Sequence, residues 1–124
     1  MAKVLIIEDN PANMTLATFL LQSAGHSVLA ATDAETGLTL ARAEQPDLVL
    51  MDIQLPGMDG LEATALLKGD EATRDIPVVA LTALAMKGDE ARIRAAGCDG
   101  YIAKPLAYKE FLATISSHLV KAPL

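Results

Sequence analysis

Five polar side chains in this chain each sit just beyond a short aliphatic run. Glu8 and Asp9 follow KVLII (3 to 7), and Asp52 ends LVLM (48 to 51). Thr82 closes IPVVAL (76 to 81), and Lys104, followed by Pro105, comes after GYIA (100 to 103). Gathered in one place, the three carboxylates would repel one another. Two like charges about 4 Å apart cost about 4 kcal/mol at an effective dielectric of about 20. A hard divalent cation removes that cost. Mg²⁺ takes oxygen ligands in an octahedron and keeps several waters, so Asp9, Asp52 and one backbone carbonyl just past Asp52 suit it. Lys104 would add a compact positive charge and Thr82 a hydroxyl donor around an anion bound beside the metal. Taken singly, each has an ordinary reading: an acid pair after a strand is a solvated turn or a helix cap, and Lys-Pro is a common loop dipeptide. The information lies in the joint order of acid pair, acid, hydroxyl and lysine.

The elements that must bring these residues together are legible from patterning. Asn10-Pro11 supplies an N-cap and a first-turn proline, and the first helix is expected to run to about Ala24 and stop at Gly25. Residues 27–31 (SVLAA) read as a second strand, and Asp33-Ala34-Glu35 opens a second helix that Pro46-Asp47 ends. A third strand spans Leu48 to Met51. After the Pro56-Gly57 turn, Asp59 caps a third helix through about Lys68. Ile76 to Leu81 is a fourth strand, Ala85 to Ala95 a fourth helix and Gly100 to Ala103 a fifth strand. Phe111, Leu112, Ile115 and Leu119 mark the buried face of a last helix. Five strands alternating with five helices, the central strands almost wholly aliphatic, predict an α/β fold: a parallel sheet covered on both faces. In such sheets the ligand site lies at the carboxyl ends of the strands, where all five polar residues fall.

Composition narrows the partners. At 124 residues and 52% hydrophobic content, one well-buried core is expected, hence a single domain over 1–124 with no output domain. Sixteen acidic against ten basic residues give a net charge of −6, without the basic run that nucleic-acid binding needs. The apolar stretches are far short of the roughly 18 to 20 residues of a membrane span, and Glu8 and Asp9 come too early for a signal peptide. A cytoplasmic location is therefore expected, with no membrane insertion. The single cysteine, Cys98, cannot form an internal disulfide and reads as a small buried thiol. His26 and His118 read as surface residues.

The segments IIEDN (6–10), LVLMDIQLPGMDG (48–60), VVALTA (78–83) and YIAKP (101–105) resemble the receiver domain of two-component response regulators. The likeness covers essentially the whole chain. Residues 82–105 and the lack of an output domain further resemble a single-domain regulator of cell division and polarity. The resemblance implies a flavodoxin-like (CheY-like) doubly wound sheet of strand order 2-1-3-4-5 in three layers. It implies Asp52 as phosphoacceptor, with Glu8, Asp9 and Asp52 holding Mg²⁺ (Mn²⁺ could substitute), helped by the Gln54 carbonyl. Thr82, Lys104 and Tyr101 become the phosphoryl-binding and switch residues, and the Lys104-Pro105 peptide is expected to be cis. A histidine kinase or histidine phosphotransfer protein would donate the phosphoryl group. A downstream protein would read the result on the fourth helix, fifth strand and fifth helix. Met14, Ala17, Pro105 and Leu106 are expected to help dock the donor.

Such a protein is not an enzyme in the usual sense, since it catalyses only its own phosphorylation and slow dephosphorylation. Three other functions fit less well. A flavodoxin would need a hydroxyl- and glycine-rich loop where EDNPAN stands, and stacking aromatics where the chain has no Trp and only two Tyr. A Mg²⁺-dependent aspartyl phosphohydrolase typically carries a second aspartate two residues past its nucleophile, and Gln54 is an amide. An unphosphorylated scaffold tends to lose an acid or the lysine, and all are present. A receiver of hybrid-kinase type, acting as a phosphate shuttle, is the nearest alternative role.

Overall fold

In the computed structural model, which describes residues 2–83, 87–104 and 106–119, strands and helices alternate throughout. The order is β1 (Lys3–Ile7), α1 (Pro11–Ser23), β2 (Ser27–Ala31), α2 (Ala34–Glu44), β3 (Leu48–Asp52), α3 (Gly60–Gly69), β4 (Val78–Thr82), α4 (Lys87–Ala95), β5 (Gly100–Ala103) and α5 (Tyr108–Leu119). All strand pairs are parallel, in the order β2-β1-β3-β4-β5. This is the expected doubly wound α/β sheet, with its switch between β1 and β3.

Alternation along the strands divides the core in two. Leu5, Ile7, Val49, Met51, Val78 and Ala80 face α2, α3 and α4, where they meet Leu38, Ala63, Leu67 and Ile93. Val4, Ile6, Leu48, Leu50, Val79 and Leu81 face α1 and α5, where they meet Ala17, Leu21, Phe111 and Ile115. Because both faces are covered, β3 and β4 are buried at every position. That accounts for their unbroken aliphatic runs.

Local chemistry sets the ends. The side chains of Asn10, Asp33 and Asp59 accept from the backbone N–H groups of Asn13, Thr36 and Glu62, capping α1, α2 and α3. The α2 terminus uses a left-handed residue that is not glycine: Gln45 has φ 47°. Its side-chain amide donates to the Arg42 carbonyl at 3.2 Å and the Ala72 carbonyl at 3.0 Å, bonds that offset the strain. β4 starts two residues later than patterning suggested. The Ile76 N–H turns back to the Thr73 carbonyl, and Pro77 has no N–H for the ladder. β3 extends one residue further, to include Asp52 itself. Residues 85 and 86, expected to begin the fourth helix, lie outside the described residues, as does Pro105 with its expected cis bond.

The histidines need correcting. Neither is a free surface side chain; both are half-buried. His26 Nδ1 accepts from the Ala2 N–H at 3.2 Å, and the His118 ring lies over Gly100, where a Cβ would collide with it. Cys98 is buried as expected, with its thiol against the Thr64 hydroxyl and its pKa pushed up by burial, which leaves it a poor nucleophile.

Candidate functional site

Strand register aligns the polar residues on one rim. Ile7 is paired with Met51, so Glu8 stands abreast of Asp52 just past the last ladder position. Asp52 is paired with Leu81, and Thr82 with Ala103, so Thr82 and Lys104 follow one step further along the same edge. Two backbone bonds continue the ladder there, Ile53 N–H to Leu81 carbonyl and Lys104 N–H to Thr82 carbonyl. Side chains from four strands thus converge without any long loop to place them.

Carboxylate oxygens of Glu8, Asp9 and Asp52 lie within 4.8 Å of one another. Glu8 and Asp52 are buried, at 1% and 3% exposure, while Asp9 is exposed. Lys104 Nζ stands between the two buried acids, 2.9 Å from Glu8 Oε1 and 3.3 Å from Asp52 Oδ2. Two backbone donors complete the arrangement. Asn10 N–H donates to Glu8 Oε2 at 3.2 Å, and Gln54 N–H donates to Asp52 Oδ1 at 2.9 Å. Gln54 also lines the hollow of about 510 Å³ that Glu8, Asp9, Asp52 and Lys104 share. Thr82 is buried at the rim, and half-buried Tyr101 packs on the α2/α3/α4 side of the sheet.

The site carries more negative charge than its own cation neutralises. Burial first, and then the neighbouring Asp52, raise the Glu8 pKa above the usual carboxylate value; Lys104 and the Asn10 N–H pull it down without cancelling the rise. Glu8 Oε1 is wholly buried and accepts no well-aligned hydrogen bond, the ammonium beside it notwithstanding. Three carboxylates within 4.8 Å of one another, two of them buried and sharing a single ammonium, are the donor set a hard, oxygen-seeking divalent ion fits.

The sign of the Glu8 shift gives a stability prediction. A carboxyl whose pKa is raised on folding adds no penalty below its unfolded value, near 4.5, and costs stability as pH climbs through the folded value. Asp33 and Asp70 run the other way, their pKa values lowered by the Thr36 N–H and the Arg42 guanidinium. Their contribution cancels between variants. In chelator, Glu8→Gln is therefore expected to be more stable than the parent at neutral pH. The gap should close as pH falls toward 4.5. Urea melts at several pH values check it; a gap independent of pH would refute the assignment.

The expected docking residues fare unevenly. Ala17 is fully buried against the sheet and has no surface to offer a partner. Met14 and Leu106 are half-buried and pack on the same core, and Pro105 lies outside the described residues. The face of α1 that does meet solvent carries Leu16 and Phe19, at 40% and 65% exposure. With Pro11, Ala12 and Thr15 they line a shallow apolar surface, and Pro11 also borders the acidic hollow. Helical spacing could have revealed this, because Ala17, Leu20 and Leu21 define a core face that leaves positions 16 and 19 outside it. The Gln54 N–H had no sequence signal, being a backbone group.

The parallel 2-1-3-4-5 sheet thus carries an acid cluster, a hydroxyl and a lysine together on its carboxyl rim. Residues 4–116 match the family model described as the response regulator receiver domain, and the chain belongs to that family. Among named relatives it is similar to the polar-differentiation response regulator DivK. It is 51% identical to DivK of Brucella ovis and 50% identical to DivK of Brucella anthropi, in each case over 94% of both chains. Solved structures agree. The receiver domain of the sensor histidine kinase PA1611 from Pseudomonas aeruginosa, crystallised with a magnesium ion coordinated in its active-site cleft, superposes with TM-score 0.88 at 34% identity, covering 95% of this chain and 97% of that one. The chemotaxis protein CheY4 of Vibrio cholerae gives TM-score 0.91 at 27% identity, over 96% and 99%. Among the described residues no helix is long and apolar enough to cross a membrane.

Proposed function

We propose that this chain is a phosphorelay receiver in which Asp52 accepts a phosphoryl group from a phosphohistidine and thereby changes protein–protein interactions. The observation that carries the reading is the dressing of Asp52: a buried carboxylate with a backbone N–H on one oxygen and an ammonium facing the other, beside two further acids. In the transfer, an oxygen of Asp52 forms a bond to phosphorus while the bond from phosphorus to the imidazole nitrogen breaks. The electron pair leaves with the imidazole. Lys104 stabilises negative charge on the transferring group, and burial of Asp52 and Glu8 strengthens that effect. Glu8, Asp9 and Asp52, with the Gln54 carbonyl, would hold Mg²⁺, which when bound supplies charge neutralisation at the phosphoryl oxygens.

Thr82 and Tyr101 support the switch half of the proposal. Tyr101 is paired with Ala80 in β5, and Ala103 with Thr82, which puts Thr82 and Tyr101 on the same face of the sheet as near neighbours. A Thr82 hydroxyl drawn toward a phosphoryl group would open room that Tyr101 can enter, altering the surface of α4, β5 and α5. A role in cell-cycle or polarity control follows from likeness to DivK. The test is to incubate the protein with a small phosphodonor, with and without Mg²⁺, and weigh the intact chain.

The exposed face of α1 gives the donor somewhere to sit. A protein delivering phosphohistidine to Asp52 must cover the rim at Pro11, and the apolar surface continues from there to Leu16 and Phe19. Phe19→Ser is expected to slow transfer from a phosphohistidine protein by about tenfold or more, as loss of an aromatic interface anchor does. Its rate with a small phosphodonor should stay that of the parent. Equal slowing with both donors would remove α1 from the interface.

A further inference from the structure

We propose that Gly60 is a positioning residue for the Asp52 carboxylate, acting through the peptide of Gln54; its consequence for metal binding rests on the Mg²⁺ reading above. Gly60 is the first residue of α3 and sits directly on the end of β3. A Cβ built there would collide with the Asp52 carbonyl oxygen and lie 2.6 Å from Ile53 Cα and 2.9 Å from the Asp52 carbonyl carbon. All three are main-chain atoms of the strand that carries the acid or of the residue just after it, so none can swing aside.

The close approach closes a short loop. The Gly60 N–H donates to the Ile53 carbonyl at 3.2 Å, and Asp59 caps α3 by accepting from the Glu62 N–H at 2.9 Å. Residue 54 is thereby held next to a fixed helix end, and its N–H points back to Asp52 Oδ1. That bond fixes which oxygen of Asp52 is tied to the backbone and which is left facing Lys104. Any side chain at position 60 lifts the start of α3 from the strand, and the Gln54 peptide moves with the loop. The missing Cβ is thus as much a part of the site as the carboxylates.

The test compares Gly60→Ala with Gly69→Ala, a change in the same helix where a Cβ meets nothing within 4 Å. Nitrogen-resolved amide spectra of the metal-free proteins read the first link. In the parent and Gly69→Ala the Gln54 amide should be shifted downfield and exchange slowly; in Gly60→Ala it should move upfield and exchange at least about tenfold faster. Calorimetric titration with Mg²⁺ reads the consequence, an affinity lower by about tenfold or more in Gly60→Ala alone. A folded Gly60→Ala with the parent's Gln54 amide overturns the proposal. If the Gln54 amide responds as expected but the parent takes up no Mg²⁺, positioning stands and the metal reading fails. Should Gly60→Ala not fold, Asp59→Ala loosens the same turn without adding an atom, whereas Asp59→Asn keeps the cap. Faster Gln54 exchange in Asp59→Ala than in Asp59→Asn supports the proposal, and equal exchange overturns it.

Discussion

Asp52→Asn is expected to show no phosphate adduct under conditions where the parent chain gains a single one in the presence of Mg²⁺. The loss should be complete within detection, on the order of 10⁴-fold or more for removal of an attacking nucleophile. An amide oxygen carries no charge to direct at phosphorus, and the surroundings of Asp52 make the exchange worse than neutral. One oxygen accepts from the Gln54 N–H and the other faces the Lys104 ammonium, so both neighbours are donors. A carboxamide satisfies one and sets its own NH₂ against the other. The fold should survive, because the substitution also relieves repulsion with Glu8. Intact mass with and without chelator is the measurement. An adduct of undiminished yield on Asp52→Asn would place the phosphoacceptor elsewhere. Rapid turnover of the donor by the parent without a lasting adduct would favour hydrolysis.

Lys104→Ala is expected to separate two properties that misfolding would damage together. Lys104 is the cation between Glu8 and Asp52, 2.9 Å and 3.3 Å from their oxygens. Without it the site is more negative, and Mg²⁺ should bind more tightly, by about tenfold for removal of one nearby positive charge in a partly buried setting. Phosphorylation should nevertheless slow by about 10² to 10³-fold, the usual cost of deleting one group that stabilises developing charge. Calorimetry for the metal and the rate of the mass shift for the chemistry read the two separately. Lys104→Arg should rescue poorly, since a planar guanidinium does not fit a point-charge site between two carboxylates. If affinity and rate both fall, Lys104 is holding the acids in place rather than acting on the phosphoryl group.

Much of the fold and of the site is legible in the sequence. Asn10-Pro11, Asp33 and Asp59 announced helix starts, and the structure uses all three as caps. The aliphatic runs of β1, β3 and β4 pointed to a sheet covered on both faces, and the end of each run identified a rim residue. Docking was less legible. Met14 and Ala17 are natural choices by position near the site, yet helix rotation buries Ala17 in the core, leaves Met14 half-buried and turns Leu16 and Phe19 outward. The histidines were misplaced for a similar reason, because their partners, the Ala2 N–H and the flat surface of Gly100, are brought to them by neighbouring strands and α5.

By itself, then, the amino-acid order determined what is local and periodic: element type, caps, the alternation of buried faces, and the residue that closes each strand. Those depend on near neighbours and on the hydrophobic pattern. Tertiary structure alone decided which oxygen of Asp52 meets which donor, that Lys104 spans two acids, that Glu8 is buried beside Asp52, and that α3 can start on the Asp52–Ile53 peptide only because residue 60 has no Cβ. These are distances of a few ångströms between segments far apart in the chain, set by the pairing of four strands and the packing of a helix end against one of them. No spacing within a segment encodes them.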